Sequence, residues 1–91
     1  MRKITIAICS AFQNRQSLTM GNSHTDSHGL YLFGNCIAKH SENGLMVCSG
    51  GWQSATTKER LNGLAGVSVN QAKGVWYLNG NEWDGQWTII K

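Results

Sequence analysis

The chain has 91 residues, with eight Lys and Arg against five Asp and Glu, a formal net charge of +3 and only 14% charged residues. That length supports one domain, residues 1–91, with a small core. The cations are scattered from Arg2 to Lys91, which argues against a dedicated nucleic-acid binder, whose basic residues crowd one face. No stretch nears the roughly 20 apolar residues that cross a bilayer, so no membrane partner is expected. Cys9, Cys36 and Cys48 are odd in number and unclustered, which argues against a disulfide framework and for a reducing compartment.

Met1-Arg2-Lys3 followed by Ile4–Phe12 has the outline of a short signal peptide. However, Ile4, Ile6 and Ile8 alternate with Thr5, Ala7 and Cys9, and strict alternation predicts a strand over Lys3–Phe12. Gln13–Gly29 is polar and reads as a long connection with a short strand near Ser17–Met20. Such a length without structure is unusual inside a small domain. Leu30–Lys39 reads as a central strand, with a bulge or kink at Gly34-Asn35. Asn43-Gly44 predicts a hairpin and Leu45–Ser49 its return strand.

Gly50-Gly51 then breaks the chain. Thr56 and Glu59 have capping-box spacing, which predicts a helix over about residues 57–64 with Gly66 as its C-cap. Val67–Asn70, Val75–Asn79 and Gln86–Ile90 are short β runs, with Asn79-Gly80 and Asp84-Gly85 as turn dipeptides on either side of Trp83. The expected fold is α+β: a largely antiparallel sheet of about five or six short strands with one helix packed on it.

Four kinds of chemistry are open to these residues. His24-x3-His28, Cys36-x3-His40 and Cys48 are zinc-ligand types, but they lack the close cysteine pairs of structural sites, so no metal or other cofactor is expected. Cys48 before Ser49-Gly50-Gly51 has the position of a nucleophile at a strand end, with His24, His28 or His40 as candidate base and Asp26 as orienting group, yet nothing in the spacing requires that arrangement. The expectation is a protein that is not an enzyme. The corner at Gly50–Leu61 suits an anion, because the start of a helix offers free amides and a favourable dipole. Thr56 and Thr57 would add hydroxyls there, and outward-facing Lys58 and Arg60 would add cations. Finally, Trp52 and Trp83, the latter expected to be exposed between its turns, could stack on single-stranded nucleic acid. Trp, Tyr and Arg also dominate protein–protein hot spots. Trp52, Thr56, Thr57, Lys58, Arg60 and Trp83 are therefore the candidate binding residues.

Gly51-Trp52, Thr56-Thr57 and Arg60-Leu61-Asn62 form a Gly-Trp-x3-Thr-Thr-x2-Arg-Leu-Asn pattern. With Leu32, Gly34-Asn35, Trp76-Tyr77-Leu78 and Trp83-Asp84-Gly85, it resembles small proteins encoded by tailed phages and prophages. That resemblance implies expression in a bacterial host cytoplasm and action by binding a host protein, such as a defence or polymerase component. It carries over no cofactor and no catalytic residue. Two further expectations stand beside it: a single-stranded nucleic-acid-binding module, and a binder of a nucleotide-like anion at the helix start. The oligomeric state is not legible.

Overall fold

A computed structural model describes residues 2–51 and 53–90. Among these residues, two helices, α1 (Lys3–Gln13) and α2 (Ala55–Asn62), accompany nine short strands. Strands β1 (Leu18–Met20), β2 (Ser23–Thr25), β3 (Gly29–Leu32), β4 (Asn35–Ser41), β5 (Gly44–Val47) and β9 (Thr88–Ile90) form a six-stranded sheet in that order, antiparallel throughout. A second antiparallel sheet holds β6 (Val69–Ala72), β7 (Val75–Leu78) and β8 (Asn81–Glu82). The α+β class and the six-stranded antiparallel sheet agree with the sequence reading. The expected helix is present as α2, α1 is a second one, and the late β runs are divided between two sheets.

The first correction is the start of the chain, where the expected strand Lys3–Phe12 is helix α1. Its buried residues are Thr5, Ile8, Cys9, Ala11 and Phe12, a helical stripe spaced by three and four. Ile6, central to the apparent alternation, is 56% exposed. The alternation of isoleucines is therefore a coincidence of three residues, and Thr5 and Cys9 join Ile8 and Phe12 on the real inward face. Phe12 stacks on His40 of β4 with ring centroids 4.2 Å apart, and His40 Nε2 donates to the Phe12 carbonyl at 2.9 Å. These contacts hold the end of α1 to the sheet.

Inward residues of the large sheet, Leu30, Leu32, Ile37, Ala38 and Val47, pack with Ile8 and Phe12 of α1, Leu61 of α2, and Val69, Trp76 and Leu78 of the small sheet in one core. The irregularity expected at Gly34-Asn35 lies elsewhere. The β3–β4 ladder shifts register at Leu30/Tyr31, and Phe33-Gly34 is instead a two-residue hairpin loop between paired Leu32 and Asn35. The polar Gln13–Gly29 segment is largely ordered as the β1–β2 hairpin.

Helix α2 begins two residues earlier than the capping-box reading placed it. Ser54 is the N-cap, its Oγ accepting from the Thr57 N–H at 3.2 Å, and Gly63, not Gly66, is the C-cap. Thr56 and Glu59 are thus interior to the helix. Accordingly, Ser54→Ala should cost about 0.5–2 kcal/mol in denaturant unfolding. Thr56→Ala should change stability by less than about 0.5 kcal/mol.

Candidate functional site

The helix-start corner divides into two regions of opposite character. On the inner side lies Arg60, which was expected to face outward and instead is 2% exposed. Position 60 shares the buried stripe of α2 with Thr57 and Leu61, so its side chain enters the space between α1 and β2. There Arg60 Nε donates to Ser23 Oγ at 2.9 Å, Nη1 to Thr5 Oγ1 at 2.6 Å and to Glu59 Oε1 at 3.0 Å, and Nη2 to Asn22 Oδ1 at 3.3 Å. Thr5 Oγ1 in turn donates to Glu59, and Ser23 Oγ donates to Asn22 at 2.9 Å. Each hydroxyl accepts from the guanidinium on one side and donates to a carbonyl or carboxylate on the other. Among the described residues, no buried side-chain N or O lacks a partner.

The charges within this network follow from its bonds. The Thr5 hydroxyl, with Arg2 and Arg60 behind it, holds the Glu59 carboxyl below the usual glutamate range. Arg2 Nε reaches the second carboxylate oxygen at 3.4 Å. Cys9 donates through Sγ to the Arg60 carbonyl at 3.1 Å, and burial pushes its thiol up to about 11.

On the outer side, the start of α2 faces the β3–β4 hairpin across a groove of about 480 Å3. Leu32 and Ile37 contribute its apolar lining, Phe33 comes from the hairpin tip, and Ser54, Thr56 and Thr57 come from the helix start. No charged side chain is among the described lining residues. Phe33 is 71% exposed and has φ +51°, followed by Gly34 at +80°. A two-residue loop with both φ values positive favours Asn-Gly, and a bulky side chain at positive φ is a conformational outlier. Asn79-Gly80 builds the same kind of turn with the favoured pair, at +50° and +87°. Phe33 therefore holds a conformation unfavourable for its type while leaving its ring in water.

Of the described sequence-selected residues, Thr56 and Thr57 line this groove. Trp52 lies outside the described residues. Lys58 is half-buried and directed away, its Nζ donating to Gln71 Oε1 at 3.1 Å and lying 5.6 Å from the centre of the Trp76 ring. Trp83, expected to be exposed, is 7% exposed. Its Nε1 donates to the Gln86 carbonyl and to Thr88 Oγ1, both at 3.0 Å, and its ring leans on Trp76. A turn on either side of it is how the chain crosses from the small sheet to the large one, which puts that ring in the core. The more exposed tryptophan is Trp87, at 39%, with Lys39 Nζ 4.3 Å from its ring centre.

Cys9, Cys36 and Cys48 are all free thiols. Cys48 Sγ donates to the Cys36 carbonyl and accepts from the Gly50 amide, and burial pushes the Cys36 and Cys48 thiols above their ordinary range. No group of three or more metal-ligating side chains gathers among the described residues, and no described helix is long and apolar enough to cross a membrane. Phe33 is not legible in the sequence because Phe-Gly is not one of the dipeptides that signal a two-residue hairpin, and Leu30–Lys39 reads as one interrupted strand.

Two outcomes follow from the Arg60 network. Arg60→Lys, which replaces a fork of donors by one point charge, should cost at least about 3 kcal/mol in urea unfolding. Lys58→Gln should cost less than about 1 kcal/mol. Glu59 titrates lower in the folded than in the unfolded chain. Its contribution is therefore complete above the ordinary glutamate range and is lost as pH falls through the folded value. Glu59→Gln should flatten the acid limb of a melting-temperature curve. The part due to Asp26, held low by the Gly29 and His28 amides, should remain.

No curated protein and no solved structure gives a significant match to this sequence. A family model does, the Kyanoviridae Gp96 protein, over residues 1–89. That match covers nearly the whole chain and agrees with the phage resemblance read from the residues. The chain belongs to the Kyanoviridae Gp96 protein family and is a small phage protein.

Proposed function

We propose that this phage protein acts by binding a host protein through the Phe33 hairpin and the groove beside α2, without catalysing a reaction. The observation that carries the reading is Phe33: 71% exposed, in a left-handed conformation that asparagine or glycine adopts at lower cost. Residues kept in costly conformations cluster at binding and switch sites. An exposed ring beside a preformed apolar groove is the form of an interface anchor. The groove is built on ordered elements, with Leu32 and Ile37 buried in the sheet and Ser54 capping α2, so little ordering cost remains for binding.

A protein partner fits better than nucleic acid or a free anion. Binding to phosphates depends on Lys and Arg, and the described lining has neither. The two cations assigned to this corner by sequence are engaged elsewhere, Arg60 in the interior and Lys58 over Trp76.

Phe33→Asn separates the roles of binding and folding. Asparagine suits the turn, so melting temperature should stay equal or rise slightly, by up to about 1 kcal/mol of stability. With tagged protein in host lysate, a protein enriched by the wild type and by Lys58→Gln should be lost with Phe33→Asn. With that partner purified, affinity should fall by about 30-fold or more, the mark of a hot spot. Unchanged capture by Phe33→Asn, or its unfolding, would contradict the proposal.

A further inference from the structure

A second groove, of about 720 Å3, lies between the two sheets. Thr88, Ile89 and Ile90 of β9 line it, as do Asn81 and Glu82 of β8. Side chains alternate faces along a strand, so consecutive residues can all border one groove only along the strand's edge. The topology agrees. Among the described residues, β9 ends the order of the large sheet with β5 paired on one side, and β8 ends the small sheet beside β7. Two sheet edges therefore border one groove. The corner joining them is fixed by Trp83, whose Nε1 bonds to Gln86 and Thr88 pin the start of β9.

An edge offers a row of backbone donors and acceptors that an extended chain can pair with. The Thr-Ile-Ile sequence of β9 carries none of the charges or prolines that usually blunt such an edge. The lining also has a sign. Glu82 and Asp84 are two of the five carboxylates in a chain of net charge +3, and no cation is among the described lining residues.

We infer that the groove accepts an extended segment of a partner polypeptide as an added strand along β9, with Lys or Arg side chains of that segment meeting Glu82 and Asp84. Backbone pairing supplies the attachment, and the two carboxylates select a basic sequence over an acidic one. This surface is distinct from the Phe33 groove, so either assignment can fail without the other.

The test uses the full chain and a random dodecapeptide display library. Selected peptides should alternate β-branched residues with Lys or Arg. In hydrogen-exchange NMR, the synthesised peptide should slow exchange within Thr88–Ile90 and leave the amides of the Phe33 hairpin unchanged. Glu82→Lys should weaken binding at least about ten-fold with melting temperature unchanged, because Glu82 is exposed. N-methylation of alternate peptide amides on the pairing edge should abolish binding. The inference is overturned if no peptide is selected above a blank surface, if selected peptides protect residues elsewhere, or if Glu82→Lys leaves affinity unchanged. Sedimentation showing a dimer of the free chain, with Thr88–Ile90 already protected, would also overturn it by naming a second copy as the occupant.

Discussion

The guanidinium of Arg60 sits in the interior of this small domain, and much of the architecture serves its solvation. Removed from water, it must find hydrogen-bond acceptors from the chain itself. Thr5 comes from α1, Ser23 from β2, Asn22 from the turn before it, and Glu59 from the residue preceding Arg60. The carboxylate side of the network opens toward solvent, where Glu59 also meets exposed Arg2. Balancing charge is thus available without burying a second ion, which limits the desolvation cost. The same contact region brings α1 and the end of α2 close together. A Cβ at Gly63 would stand 2.7 Å from both Cys9 Sγ and Thr5 Cγ2, so glycine is what allows the helices to approach.

This arrangement gives α2 two ends with different tasks. Its C-terminal half is locked, by Arg60 and by Asn62, whose side chain accepts from the Val69 amide at 2.6 Å and donates to the Val69 carbonyl at 2.9 Å. Its N-terminal turn faces the Phe33 groove. Sites on ordered elements hold their geometry better than sites on loops, and the polar network behind α2 supplies that support. In the proposed function, then, Arg60 is a positioning residue for the groove and makes no contact with the partner.

The parts of the fold legible in the sequence are those encoded by neighbours. Asn43-Gly44 and Asn79-Gly80 announced their turns, and the helix after Gly50-Gly51 was found to within two residues. The α+β class followed from the short apolar runs. What failed was long-range. Nothing near Arg60 in the chain marks it as interior, because Thr5 lies 55 residues away and Ser23 lies 37. A cation on a short helix was read as solvated for that reason. Helix α1 was misread because its inward face includes Thr5 and Cys9, which a purely apolar count overlooks, while exposed Ile6 reinforced a false alternation. Trp83 is buried although turn dipeptides flank it, because exposure depends on where the chain crosses between sheets, and a turn dipeptide does not report that. Of the groove lining, Thr56 and Thr57 are among the residues the sequence singles out, and Phe33 is not.

The burial of Arg60 is measured most directly through its own Nε–H. In 15N-labelled protein that proton donates to Ser23 Oγ inside the core. The account predicts one arginine side-chain resonance, displaced from the random-coil position, that exchanges with solvent orders of magnitude more slowly than those of exposed Arg2 and Arg15. An Arg60 Nε–H that exchanges as fast as theirs would place the guanidinium in water and contradict the account.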